Sequence, residues 1–306
     1  MNIVTTIIPI FAVIILGWFA RWKGFIPPEF IGPANRLVYY LALPAMLFRS
    51  ISKASLKTHF DITVLTITLF SVLAVFAVAW GAGLITRIRR EQLGSFIQCT
   101  FHANLGYIGL AVAYYFLGTD GLVRASIIAG FIIVLQNLLA VVVLQLYSDN
   151  VPVKGNKLIV VRKILGNPVI LSAVAGILFS ITETPIPLVI DRSLNILGNL
   201  AFPMALLIIG ASISFELMRL RILLVFVIDV MKLILLPALG FALYRLVGLT
   251  PQDYLPGLIL LASPTAIITY VMAKEMNGDT DLAVATISTS TILSAVTFSL
   301  WLNIAG

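Results

Sequence analysis

Thr100-Phe101-His102-Ala103-Asn104-Leu105-Gly106-Tyr107-Ile108-Gly109-Leu110 lies midway along an apolar run from about Leu93 to Leu117. The run is long enough to cross a bilayer. Its centre, however, holds Asn104 and Gly106, which are poor helix-interior residues. A second interruption, Ala262-Ser263-Pro264-Thr265, lies midway along the run from about Tyr254 to Lys274. Two interrupted membrane helices, one in each half of a chain, are the sequence sign of a transporter's binding site.

The composition agrees with a membrane setting. The chain has 306 residues, 60% hydrophobic and 11% charged, with a mean hydropathy of +1.08. Soluble domains carry about 25% charged residues. We therefore read an all-α integral membrane protein with the lipid bilayer as its surroundings. The net charge of +7 is no nucleic-acid footprint, because Lys and Arg fall mostly between apolar runs, where they set orientation. The lone Cys99 excludes an intramolecular disulfide. With two histidines it offers no metal-ligand spacing, so no metal site and no cofactor are expected. The N-terminal run lacks a basic leader and a small-residue cleavage site, and reads as a retained first span.

Ten spans are predicted at about 3–20, 31–50, 61–86, 93–117, 121–146, 168–182, 188–212, 221–246, 254–274 and 280–303, where a bilayer requires roughly 20 residues; the third and eighth are long and read as tilted, and the sixth is short unless it begins nearer Lys163. They make one transmembrane unit over 1–306, with a short cytoplasmic linker at 148–162. The connections after the odd-numbered spans hold twelve Lys and Arg residues and the opposite ones six. The richer side is cytoplasmic, which puts both termini outside, in a multi-pass protein of the cell membrane.

The halves 1–147 and 163–306 share landmarks. Leu43-Pro44-Ala45-Met46-Leu47 in the second span answers Phe202-Pro203-Met204-Ala205-Leu206 in the seventh. Asn104 follows Pro44 by 60 residues, and Pro264 follows Pro203 by 61. Five spans per copy is odd, so the copies insert upside down: a 5+5 inverted repeat. Its broken spans 4 and 9 are expected to cross. Free backbone groups at each break are costly in hydrocarbon unless they serve each other, a cavity or a ligand.

The breaks supply the candidate substrate-binding residues, Asn104, Gly106 and Tyr107 with Ser263, Pro264 and Thr265. Asn104 can cap the helix that resumes near Gly106. Ser263 can cap the second, with Pro264 at its first position. Each resumed half-helix then points a positive end inward, which suits an anion. The free carbonyls of the preceding half-helices suit a cation or proton donor. The expected ligand is a small organic anion moving with or against H+ or Na+.

At this point the sequence resembles the auxin efflux carrier family of membrane transporters, in its bacterial branch. The resemblance rests on Asn35-Arg36-Leu37-Val38, Leu43-Pro44-Ala45, Asn104-Leu105-Gly106-Tyr107-Ile108-Gly109-Leu110, Pro203-Met204-Ala205-Leu206 with Gly210, Ser263-Pro264-Thr265-Ala266, Tyr270-Val271-Met272-Ala273-Lys274 and Ser290-Thr291-Ile292-Leu293-Ser294. It implies the sodium/bile-acid symporter-like fold of the bile acid/arsenite/riboflavin transporter-like superfamily, with a scaffold domain, a crossover core domain and elevator-type alternating access. It implies a malonate-, malate- or auxin-like substrate. A sodium-coupled bile-acid-type symporter is the alternative. A homodimer is a further expectation.

Asp229 and Lys232 lie three apart in the eighth span, where charges need a partner or a cavity. They can pair with each other or act in coupling or gating, and Asp229 is the best proton-coupling candidate. His102 can titrate or simply pack. Gln136 and Asn137 in the fifth span and Ser290 and Thr291 in the tenth stand beside the breaks, for packing or for lining a path. Ser263 and Ser288 with His102 supply the residue types of an intramembrane serine enzyme, but no nucleophile motif accompanies them, and the expectation is no enzyme. A channel is the third reading. No nucleotide-binding loop points to an ATP-driven pump.

Overall fold

The computed structural model describes residues 3–53, 61–147, 168–182, 184–218 and 222–306. The linker 148–162, with Lys154, Lys157 and Arg162, lies outside the described residues, as do Lys57, Lys163, Arg219 and Arg221. The described chain is helical, with one isolated bridge and no strand. Its helices are α1 (Ile3–Trp22), α2 (Pro28–Leu37), α3 (Leu43–Ser52), α4 (Ile62–Ile85), α5 (Arg90–Phe101), α6 (Leu110–Tyr147), α7 (Pro168–Ile181), α8 (Leu188–Gly198) and α9 (Ala201–Ala211). There follow α10 (Phe215–Met218), α11 (Ile222–Val230), α12 (Leu236–Leu246), α13 (Pro251–Ala262), α14 (Ile268–Glu275) and α15 (Thr280–Ala305).

Five described stretches are long and apolar enough to cross a membrane: Ile62–Ile85, Leu105–Tyr147, Leu188–Ala211, Ile222–Leu246 and Thr280–Ala305. Shorter apolar helices run over Ile7–Trp22 and Leu171–Ile181. Both interruptions expected from the sequence are present. α5 stops at Phe101 and α13 at Ala262, which leaves helices too short to count as spans by length. The long α6 is itself divided at Gly118, where φ is +73°. Only glycine adopts that conformation without strain.

Proline shapes two helices in the same way. A π-turn over Val38–Ala42 joins α2 to α3, and another over Met231–Leu235 joins α11 to α12. In each, a proline follows two residues after the turn, Pro44 or Pro237. Proline cannot donate to the carbonyl four residues back. The ladder shifts to a five-residue reach, Leu43 N–H to the Val38 carbonyl and Leu236 N–H to the Met231 carbonyl. The Leu233 carbonyl, freed by Pro237, accepts the Trp301 indole N–H at 2.8 Å. Pro203 acts differently: it is the third residue of α9, after a break at Asn199–Leu200.

The chain separates into two compact units. The first takes Met1–Asp61, Gly106–Phe131 and Leu158–Ser212; the second takes Ile62–Leu105, Ile132–Lys157 and Ile213–Gly306. Each unit therefore draws on both halves of the sequence. Within the first, α1 packs backbone-to-backbone on α9. A Cβ at Gly17 would strike the Leu207 backbone, and one at Gly210 the Ile14 carbonyl. Small residues allow such close approach between membrane helices. Asp191 of α8 accepts Arg49 of α3 at 2.8 Å and Lys53 at 2.6 Å.

Candidate functional site

Both breaks belong to the second unit, and they are bonded to each other. After α5, His102 turns to extended backbone (φ −79°, ψ 94°). After α13, Ser263 does the same (φ −64°, ψ 141°). Ala103 and Thr265 then pair as an isolated antiparallel bridge. Asn104 N–H donates to the Pro264 carbonyl at 2.7 Å, and Ala266 N–H to the His102 carbonyl at 3.0 Å. Two segments that would each carry unpaired groups at membrane depth thus satisfy part of each other's demand.

Side chains close most of the rest. Gln136 of α6 is 1% exposed. Its Nε2 donates to the Phe101 carbonyl at 2.7 Å, and its Oε1 accepts Ala103 N–H at 3.3 Å. Thr265 Oγ1 donates to the Cys99 carbonyl at 3.0 Å. Ser290 Oγ of α15 accepts Thr265 N–H at 3.1 Å. Thr100 Oγ1 turns back to the Ile97 carbonyl at 2.7 Å.

The capping expectations need correction. Ser263 does not cap the helix that resumes: it ends α13, its Oγ donating to the Ile259 carbonyl at 2.9 Å. Pro264 is not the first residue of the next helix, because the chain stays out of helix until Ile268, where the cap position is Ile267. The bridge to Ala103 holds Thr265 out of helix, and that long-range pairing outweighs the local Ser-Pro signal. Asn104 does stand one residue before the π-turn Leu105–Gly109 that restarts the first helix. Its Nδ2 is buried and has no hydrogen-bond partner among the described residues.

The other named residues divide between places. Gly106 and Tyr107 fall in the first unit, where the Tyr107 hydroxyl donates to Asn35 Oδ1. Asn137 Nδ2 donates to the Ile133 carbonyl of its own helix at 2.8 Å, a local bond. Thr291 Oγ1 is buried and unpartnered. Asp229 and Lys232 do not pair. Lys232 Nζ reaches the Leu261 carbonyl at 2.9 Å, while Asp229 Oδ1 has no hydrogen-bond partner. The π-turn beginning at Met231 changes the angular step between the two residues and removes the i,i+3 register the pair would need. Asp229 instead borders a cavity of about 370 Å³ with Phe215, Val225, Phe226, Thr289 and Leu293.

One further feature was not expected. Ser95 and Gln98 are three apart on one face of α5, and His102 follows four residues later in the extended stretch after the helix. Each has a buried atom without a partner: Ser95 Oγ, Gln98 Oε1 and His102 Nδ1. The signal was present in the sequence as polar residues at helical spacing in an apolar run. Among the described residues the Ser263 hydroxyl donates to the Ile259 carbonyl at 2.9 Å and the Ser288 hydroxyl accepts Ser214 N–H at 3.1 Å, rather than either pairing with His102.

The profile of the membrane transport protein family matches residues 2–302. The chain belongs to that family. It is thus a membrane transport protein of the auxin efflux carrier type, as the motifs around Asn104 and Ser263 implied. It is 25% identical over 294 residues to an uncharacterized transporter of Methanocaldococcus jannaschii, covering 94% of each chain. It is 27% identical over 301 residues to a Rhizobium meliloti protein designated only provisionally as a malonate transporter, covering 95% of this chain and 92% of the other. An uncharacterized transporter of Escherichia coli K12, YfdV, is 23% identical over 308 residues, covering 98% and 96%. Family membership and the apolar helices make this a multi-pass membrane protein.

Proposed function

We propose that this transporter is a secondary carrier of a small organic anion, a mono- or dicarboxylate, held where the two broken helices meet. The single observation that supports this most is the antiparallel pairing of Ala103 with Thr265. It sets two helix restarts, at Leu105 and Ile268, just beyond one shared strand-like contact. Helix starts favour negative charge. Asn104 Nδ2, a neutral donor without a protein partner, is the side chain we assign to the substrate carboxylate. The malonate designation of one relative favours a dicarboxylate.

On this reading the chain has ten spans in a 5+5 inverted repeat, with broken spans 4 and 9 crossing and elevator-type alternating access. It resides in the cell membrane with both termini outside. Two compact units, each assembled from both halves, are what such a repeat needs for alternating access. The test is flux into proteoliposomes with a panel of mono- and dicarboxylates under imposed proton or sodium gradients. Saturable uptake of at least one anion, weakened about tenfold or more by Asn104→Ala, is the expected result. Absence of carriage for every anion, or ligand binding by Asn104→Ala equal to wild type, would refute the assignment.

A further inference from the structure

Lys232 is 0% exposed and sits in the π-turn Met231–Leu235 of the second unit. Burying an ammonium is costly unless it is compensated. Lys232 takes part in no ion pair among the described residues. Its Nζ donates to a backbone carbonyl, that of Leu261, at 2.9 Å.

The identity of that carbonyl matters. Leu261 is the last residue but one of α13. In an unbroken helix its carbonyl would accept the N–H of Thr265. The break removes that donor, because Thr265 N–H goes to Ser290 Oγ. The two preceding carbonyls are closed by Ser263: the Ile259 carbonyl takes its Oγ at 2.9 Å and the Leu260 carbonyl its N–H at 3.3 Å. Leu261 is left with a free carbonyl at the negative end of a half-helix. Such carbonyls are where broken-helix transporters coordinate a cation.

We propose that Lys232 is a tethered cation that occupies the position of a coupling metal ion at the end of α13, so that this chain carries its substrate without sodium. The charge that a bound Na+ would bring is covalently part of the protein. It is held in place by the π-turn that Pro237 imposes. The first break needs no such charge, since the neutral Gln136 amide closes it. The consequence for flux rests on the anion-carrier reading, whereas the consequence for stability does not.

The experiment therefore has two readouts. The first is the thermal unfolding midpoint of the purified full chain in detergent, in sodium chloride against choline chloride. The second is malonate flux into proteoliposomes in the same salts. For wild type we expect midpoints within ~1 °C of each other and equal flux. Lys232→Ala should lower the midpoint by roughly 5 °C or more and recover at least half of that in ethylammonium chloride, which replaces the missing amine. Lys232→Met keeps the apolar stem and fills the space, so it should fall without recovering. A wild-type midpoint raised selectively by sodium, or flux that stops without sodium, overturns the proposal. So does a Lys232→Ala protein as stable as wild type and indifferent to ethylammonium. If neither variant folds, the wild-type salt comparison decides alone. If malonate is not carried in any salt, that counts against the carrier reading, and the midpoints still decide the role of Lys232.

Discussion

The two breaks solve one physical problem by different chemistry. The first leaves the helix for three residues, His102 to Asn104, and the second for five, Ser263 to Ile267. At the first break a single neutral side chain, Gln136, both gives and takes a hydrogen bond. At the second, three separate groups do the work: Ser263 turns back on its own helix, Ser290 accepts from Thr265, and Lys232 brings a buried amine to Leu261. Interrupting a helix at membrane depth therefore does not dictate how the freed groups are paired, only that they be paired. The closures differ in kind: an amide at one break, an amine at the other. One remains neutral and holds a buried amide with no partner among the described residues, Asn104 Nδ2. The other carries the cation.

That contrast can be broken residue by residue, starting with the clasp of the first break. Gln136→Leu orphans a buried carbonyl and a buried N–H together, each worth about 1–3 kcal/mol. We expect the largest loss here, about 2–6 kcal/mol, read as a collapse of the unfolding midpoint in detergent; an unchanged midpoint would show that the clasp is idle. Ser290→Ala removes one acceptor from the second break. The expected cost is about 1–3 kcal/mol, measured the same way, with Ser290→Thr restoring part of it. Thr265→Val keeps the shape but removes the donor to the Cys99 carbonyl. It should cost about 1 kcal/mol, and a double-mutant cycle with Gln136→Leu would report whether the breaks are energetically coupled. The smallest stability loss belongs to Asn104→Ala, because its buried amide nitrogen has no hydrogen bond to lose. Its anion binding should nevertheless fall, and this separation of stability from binding is the sharpest check on the difference between the breaks.

Much of this was legible before any coordinates. Asn104-Leu105-Gly106 and Ser263-Pro264-Thr265 lower helix stability locally whatever surrounds them, so the interruptions could be read from residue type alone. The importance of Gln136 and Ser290 was legible as polar side chains in apolar runs. Their partners were not, because each hydrogen-bonds a residue distant in sequence. Ser263 misled for the same reason. Ser-Pro is a start signal for a helix when the chain is free to follow it, and here the bridge to Ala103 holds Thr265 out of helix instead. Asp229 and Lys232 misled through register, since the π-turn ahead of Pro237 is a change of helical step that i,i+3 counting does not see.

Sequence by itself determined that the chain is a helical membrane protein of a transport family, where its helices are interrupted, and which polar residues stand near those interruptions. These follow from hydropathy, backbone propensity and motif, all of them local. Only the tertiary structure decided that the two interruptions pair with each other, that a neutral amide closes one while a buried lysine closes the other, and that Asn104 is left with a donor to spare. A hydrogen bond is made or missed over a few tenths of an ångström, and that distance is set by how the helices pack.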